Sequence, residues 1–171
     1  MPESFQPDAL LRILAERDVH YVLIGGLGAT LHGSPHLTQD VDITPERTPT
    51  NLAKLSDALR DMNARVRAAG LDEPLPFSHD AESLGRVGVW NLATPYGDFD
   101  ISFVPTGTDG YPDLCRDAVR VRIADVDVVV ASLSDIIRSK QAADRPKDRL
   151  TLPTLREILA RRLQEGGTAE R

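Results

Sequence analysis

The sequence predicts an α+β fold in which a mixed or antiparallel sheet is flanked by helices. Apolar residues recur at helical spacing near the N-terminus, before position 70 and near the C-terminus. Between them lie short strand-like segments, and two pairs of these are separated by turn-like residues typical of hairpins. At 171 residues the chain is long enough for a core without disulfides. We expect one domain, residues 1–165, and a polar tail, residues 166–171, that is a candidate for disorder.

The first half of the chain predicts three helices and two strands. An amphipathic helix precedes a buried strand that ends at two glycines, and a second strand follows a short helix. Thr48 and Pro49 form a helix start signal, because a capping hydroxyl precedes a proline at the first helical position. The expected helices are 7–18, 27–32 and 49 to about 69, and the expected strands are 19–24 and 40–44.

The second half predicts a loop, four strands and two helices. Residues 71–84 are rich in Pro, Asp and Ser and are expected to form a loop. Four strands are expected in two pairs: 87–93 with 99–104, around a turn at 94–97, and 118–123 with 126–130. Ser132, with Asp135 three residues later, indicates a helix that ends near Ala143, and a last helix is expected after Pro153.

Cysteine content, hydropathy and net charge argue against a disulfide-stabilised, membrane-spanning or strongly nucleic-acid-attracting protein. Cys115 is the single cysteine, so no internal disulfide can form, and a reducing cytoplasm is the simplest location. The N-terminus has no basic stretch followed by an apolar run, and no segment has the apolar length of a membrane span. The net charge of −6 predicts weak nonspecific attraction to nucleic acid.

Two glycines and two aspartates carry the first functional signal. Gly25 and Gly26 follow the first strand, and Asp40 and Asp42 alternate with apolar residues on the second. Side chains on a strand point to opposite faces with period two, so both carboxylates project the same way. Like charges this close repel unless cations lie between them, and magnesium prefers carboxylate and phosphate oxygens. The pattern predicts a metal-dependent site for a nucleoside triphosphate, with the glycines as backbone contacts for its phosphates or, alternatively, as turn residues only.

This spacing resembles the signature of the DNA polymerase β-like nucleotidyltransferases. The resemblance implies their fold and a third carboxylate on a later strand. Asp100 is our candidate, because Phe99 and Ile101 flank it as apolar residues flank Asp42. Asp98 lies on the same face, nearer the turn, and is the alternative.

A second segment resembles the AbiEii and MenT-type nucleotidyltransferases, a group that includes bacterial toxins of toxin-antitoxin pairs. The matching residues are Lys140, Arg145, Lys147 and Asp148, whereas His36 stands where many relatives carry an arginine. The resemblance implies that the three basic residues reach the triphosphate. It implies that Lys140 and Asp148 belong to the catalytic set, with Asp148 either orienting a basic neighbour or acting in catalysis.

The resemblance also implies the reaction. Asp40 and Asp42 would hold two magnesium ions, with manganese as an alternative, and Asp100 would join the catalytic ion. An acceptor hydroxyl attacks the α-phosphorus of the NTP and pyrophosphate leaves. Thr38 shares the carboxylate face of its strand and is a further candidate for nucleotide binding.

Three functions are compatible with these residues. The leading hypothesis is a toxin that transfers NMP to an RNA acceptor, the 3′ end of tRNA, and is restrained by a cognate antitoxin; basic residues between 138 and 162 would provide a local RNA-facing surface. The second is a nucleotidyltransferase with a small-molecule acceptor such as an antibiotic. Such enzymes usually carry an extra helical domain, for which this chain leaves little room. The third is a non-catalytic nucleotide-binding module.

Overall fold

The computed structural model describes residues 4–169, and the side chains of residues 4–166. Residues 1–3 of the expected domain and residues 170–171 of the expected tail lie outside the described residues. The helices are α1 (Pro7–Glu16), α2 (Gly25–Leu31), α3 (Pro49–Asp61), α4 (Ala81–Arg86), α5 (Tyr111–Arg116), α6 (Leu133–Ala143) and α7 (Pro146–Ala169). The strands are β1 (Tyr21–Ile24), β2 (Asp40–Pro45), β3 (Arg65–Val66), β4 (Val89–Thr94), β5 (Gly97–Ser102), β6 (Val119–Ile123) and β7 (Val126–Val130).

All of these strands form one seven-stranded sheet in the order β3-β4-β5-β2-β1-β7-β6. The two predicted hairpins, β4–β5 and β6–β7, are antiparallel, as are β1–β2 and β3–β4. By contrast, β2–β5 and β1–β7 are parallel. The predicted α+β class with a mixed sheet flanked by helices is confirmed. The parallel pairing of β2 with β5 places two strands that are distant in sequence side by side at the centre of the sheet.

The two faces of the sheet have different roles. On β2 and β5 the apolar residues Val41, Ile43, Phe99 and Ile101 are fully buried against helices α1 and α3. Burying each such side chain contributes about 1.5–3 kcal/mol. The opposite face packs on α2, α5, α6 and α7 around β1 and β7, through a second cluster that includes Val22. The rest of that face, which carries the aspartates of β2 and β5, opens into a cleft bordered by the start of α2.

The predicted third helix is too long. It ends at Asp61 rather than near Ala69, because Asn63 adopts a left-handed backbone with φ 57°. The chain then forms β3, which pairs with β4. The predicted loop 71–84 is also partly wrong, since Asp80 and Ser83 form a capping box that starts α4 at Ala81.

The helices differ from expectation in further ways. The first helix ends at Glu16 rather than at Asp18, the short helix begins at Gly25 rather than at Leu27, and α5 was not predicted. The last helix begins at Pro146 and continues through Pro153 to Ala169, so the expected start after Pro153 is wrong. A proline is tolerated in the first helical turn, which suits Pro146, and Pro153 costs α7 one internal hydrogen bond without ending it. None of the helices among residues 4–169 is both long and apolar enough to cross a membrane.

His32 joins the last helix to the centre of the fold. Its side chain is buried, and its Nε2 donates to the Ala131 carbonyl oxygen over 2.8 Å. The guanidinium of Arg162 donates to Nδ1 over 2.9 Å and to the His32 carbonyl oxygen over 2.7 Å. Since arginine has no acceptor, Nδ1 must accept, and the contacts are compatible only with the neutral ring. Burial lowers the pKa of His32, and the charge of Arg162 lowers it further.

We expect these contacts to make stability depend on pH below neutrality. The unfolded chain protonates His32 near its ordinary value of about 6.5, whereas the folded chain resists protonation. The contribution is therefore complete above that pH and is lost as the pH falls below it. His32→Gln should lose less stability than wild type between pH 7 and pH 5, measured by urea unfolding. Other groups, including His79, cancel in the difference, so parallel curves would contradict the assignment.

Candidate active site

Three carboxylates meet on the open face of the sheet. The parallel register places Asp42 beside Asp100 and Asp40 beside Asp98. One oxygen from each of Asp40, Asp42 and Asp100 lies within 4.8 Å of the others. Among the described residues, the structure therefore brings Asp100 rather than Asp98 into this group, which we call the carboxylate cluster.

The electrostatics of the carboxylate cluster fit a bound cation. Burial raises the pKa of Asp42 to about 7, with further contributions from the charges of Asp40 and Asp100. Burial likewise raises the pKa of Asp100 to about 6, against the opposing effect of Arg67. Three ionised carboxylates this close repel one another, and an ion between them would relieve the repulsion. The donor set consists of carboxylate oxygens, which suits magnesium or manganese.

Gly25 and Gly26 allow the start of α2 to lie against the carboxylate cluster. Gly25 has φ +69°, and a Cβ at this position would lie 2.3 Å from Oδ2 of Asp42. A Cβ on Gly26 would lie 2.9 Å from Oγ1 of Thr38. Thr38 in turn donates a hydrogen bond of 2.8 Å to Oδ1 of Asp40. Any side chain at Gly25 or Gly26 would thus clash with Asp42 or Thr38, which explains why both positions are glycine. Thr38 orients a carboxylate of the cluster.

The segment 140–148 forms one unit at the side of the cleft. Asp148 is fully buried, and its Oδ2 accepts from Nε of Arg145 over 2.7 Å. Nζ of Lys140 lies 3.6 Å from Oδ1 of Asp148. Because Asp148 is buried and accepts hydrogen bonds from Arg145, a substrate cannot reach it easily. Its contacts instead orient Lys140 and Arg145. Of the two roles expected for Asp148, the geometry favours the orienting one.

The carboxylate cluster and the basic residues of this segment line one cleft of about 900 Å³, whereas buried Asp148 does not reach it. Its walls include the carboxylate cluster, both glycines and Thr38, together with Lys140, Arg145 and Lys147. The charges of Lys147 and Lys140 oppose the rise in the pKa of Asp42, so both ammonium groups act on the cluster. His36 also lines this cleft.

Arg67 is a residue of this cleft that the sequence did not reveal. Its Nη2 donates to Oδ1 of Asp100, and its Nη1 lies 3.6 Å from Oδ2 of Asp98. The expected helix to Ala69 placed Arg67 on a helix, away from the sheet. A signal was present, since Asn63 is a residue type that readily adopts the left-handed conformation that ends a helix.

Most of the basic residues between 138 and 162 form ion pairs. Arg138 pairs with Asp113 and Asp135. Two further pairs are Arg149 with Asp144 and Arg161 with Glu157. The local basic surface expected from the sequence is therefore largely neutralised by neighbouring carboxylates.

Comparison with solved structures identifies the fold. The lincosamide antibiotic adenylyltransferase LnuA, in its lincomycin-bound form, is 17% identical with a TM-score of 0.60, and the alignment covers 91% of this chain and 99% of LnuA. ANT(2″)-Ia in complex with adenylyl-2″-tobramycin is 17% identical with a TM-score of 0.54, over 87% of this chain and 84% of that one. A putative nucleotidyltransferase from Thermotoga maritima is 16% identical with a TM-score of 0.52, over 92% and 96%.

The chain therefore has the polymerase β-like nucleotidyltransferase fold, as the sequence predicted. At these identities the likeness shows a shared fold. No protein-family model matches the sequence, and a search of curated proteins gives no match.

Gly25→Ala should destabilise the protein more than Gly70→Ala. Both glycines have positive φ, but a Cβ at Gly70 meets no atom within 4 Å, whereas at Gly25 it meets the Asp42 side chain. Backbone strain alone costs about 1–3 kcal/mol, and Gly25→Ala adds a steric clash to it. Chemical unfolding of both variants measures the difference. Equal losses would show that the start of α2 does not press on Asp42.

Asp42→Asn should stabilise the protein in metal-free buffer at pH 8. The folded state holds a proton on Asp42 up to about pH 7, so wild-type stability falls as the pH rises from the ordinary carboxyl value to that pH. Removing the charge should restore on the order of 2 kcal/mol in unfolding experiments with EDTA. Mg²⁺ should then stabilise wild type more than the variant.

Asp72→Asn is the matched control for this prediction, since it makes the same chemical change at an exposed residue that does not line the cleft. It should leave the Mg²⁺ response as in wild type. An Asp42→Asn variant less stable than wild type at pH 8 would show that Asp42 is not under electrostatic strain.

Proposed function

We propose that this protein is a metal-dependent nucleotidyltransferase that transfers an NMP group from an NTP to an acceptor hydroxyl and releases pyrophosphate. The carboxylate cluster carries the proposal, because three carboxylates within 4.8 Å stand beside cationic side chains in one cleft. The same fold occurs in the adenylyltransferases LnuA and ANT(2″)-Ia, which supports this reaction class.

The residues of the cleft have different roles in the proposed reaction. Asp40, Asp42 and Asp100 would hold the divalent ions, which supply charge stabilisation for the entering and leaving oxygens when bound. Asp100 also helps to activate the acceptor hydroxyl.

The triphosphate would bind between the carboxylate cluster and the cationic side chains that line the same cleft. Lys140, Arg145 and Lys147 neutralise its negative charge, and Asp148 keeps the first two in position. Gly25 and Gly26 let the backbone approach the phosphates because no Cβ stands in the way. Thr38 orients Asp40 through its hydroxyl.

A small hydroxyl-bearing molecule, such as an antibiotic, is the acceptor class that we favour. The chain spans 99% of LnuA, an antibiotic adenylyltransferase, so the extra helical domain that we expected for such acceptors is not required. The ion pairs between 138 and 162 leave little basic surface for RNA. Leu37 and Val89, 96% and 53% exposed, also line the cleft and offer apolar contacts to a small acceptor.

An RNA acceptor is the second candidate. The residues that resemble the AbiEii and MenT-type segment, Lys140, Arg145 and Asp148, do form one interacting unit, and this favours the resemblance. In that case the acceptor is the 3′ end of tRNA, and the protein is a toxin held inactive by a cognate antitoxin. Both candidates place the protein in the cytoplasm, which its single cysteine suits.

A transfer assay separates these functions. The protein is incubated with Mg²⁺, each of the four α-labelled NTPs, and lincomycin, tobramycin or total tRNA. We expect label on a small molecule, and a loss of more than about 100-fold in Asp42→Ala, since it removes a metal ligand. Asp125→Ala, an exposed carboxylate in an ion pair with Arg12, should keep full activity.

The alternatives give different results. Label on tRNA, with growth arrest on expression that Asp42→Ala relieves, would establish the RNA acceptor instead. Nucleotide binding without transfer to any acceptor, in wild type and variants alike, would contradict the proposal and indicate a nucleotide-binding module.

A further inference from the structure

Main-chain contacts fix Arg67 over the edge of the carboxylate cluster. Its backbone N–H donates to the Asn91 carbonyl oxygen over 2.9 Å, and its side-chain Nε donates to the Leu92 carbonyl oxygen over 3.1 Å. Both acceptors belong to β4, the strand next to β5. The guanidinium is therefore held by the sheet as well as by the carboxylates that it contacts.

The two remaining guanidinium nitrogens face aspartates of β5. Nη2 donates to Oδ1 of Asp100, and Nη1 lies 3.6 Å from Oδ2 of Asp98. The side chain of Asp100 is only 18% exposed and that of Arg67 is 36% exposed. Solvent screens such a pair less than it screens a surface salt bridge, so the positive charge acts strongly on the cluster.

This arrangement has two effects on an ion at the cluster. Arg67 engages one carboxylate oxygen of Asp100, which fixes the carboxyl group and leaves its second oxygen for an ion. At the same time, a fixed positive charge next to Asp100 repels any divalent cation that binds there. The first effect favours a defined geometry, and the second lowers affinity.

We propose that Arg67 is a positioning residue that fixes Asp100 and that its charge limits the affinity of the carboxylate cluster for divalent ions in the absence of nucleotide. This inference rests on the proposed metal-dependent function. In this view the carboxylate cluster does not act alone, because the positive charge of Arg67 is always beside it and competes with the ion for Asp100.

Manganese binding tests the role directly, without any acceptor or turnover. Free Mn²⁺ is followed by electron paramagnetic resonance during titration of nucleotide-free protein. Arg67→Gln keeps a side-chain donor for Asp100 but removes the charge, so Mn²⁺ should bind about tenfold more tightly. Arg67→Lys keeps the charge and should stay within about threefold of wild type.

Two further variants make the comparison specific. Arg65→Gln removes an equal charge from an exposed residue of β3, two positions before Arg67, and it should leave Mn²⁺ affinity nearly unchanged. Arg67→Met gives a second charge-free variant in case Arg67→Gln fails to fold, and it too should bind Mn²⁺ more tightly. A residue with only a structural role would weaken binding in every Arg67 variant.

The outcomes distinguish a failure of the role of Arg67 from a failure of the metal site. If wild type binds Mn²⁺ and Asp42→Asn does not, but the charge-free Arg67 variants bind no more tightly than wild type, the role of Arg67 is overturned and the metal site stands. If neither wild type nor any variant binds Mn²⁺, the metal site fails and this inference fails with it.

Discussion

The crowding of three carboxylates on two parallel strands is the constraint on which the rest of this structure depends. Asp42 and Asp100 are neighbours because β2 and β5 pair in parallel with a defined register. A shift of one residue would turn the aspartates into the apolar core and the core residues into the cleft. The buried side chains beneath them, such as Ile43 and Phe99, therefore fix the cluster as firmly as any contact within it.

The surroundings of the cluster compensate its charge from several directions. Arg67 approaches from the outer strands, and Lys140 and Lys147 act from the helical side. Buried Asp148 holds Lys140, so one carboxylate that never reaches the cleft controls a cation that does. The protein thus keeps a strained group of like charges in place by surrounding it with cations on rigid elements, a pattern typical of sites where charge is needed for function.

The sequence predicted the parts of the fold that depend on local pattern. Alternation with period two placed Asp40, Asp42 and Asp100 on one face, and turn residues located both hairpins. Helix ends were predicted less well, because residue type permits but does not require a left-handed residue at Asn63 or a helix break at Pro153. Arg67 was missed because the segment that contains it was assigned to a helix.

Ion pairs and hydrogen bonds between residues that are far apart in the sequence could not be predicted from it. The run of basic residues from Arg138 onward suggested an exposed cationic surface, yet Arg138 forms an ion pair with Asp113, and Arg162 donates hydrogen bonds to the neutral His32. Composition reveals how many charges a segment carries but not which of them meet an opposite charge in the fold. Only the described structure separates the neutralised arginines from the cations that face the cleft.

The parallel pairing of β2 with β5 also bears on how the protein acquires its site. The two strands are separated in sequence by α3, β3, α4 and β4, so the third carboxylate joins the first two only when β5 pairs with β2 across that whole segment. Contacts of such long sequence separation form late and slowly. A chain in which β5 has not paired with β2 has two aspartates on β2 and no complete cluster, which makes divalent-ion binding a reporter of that pairing.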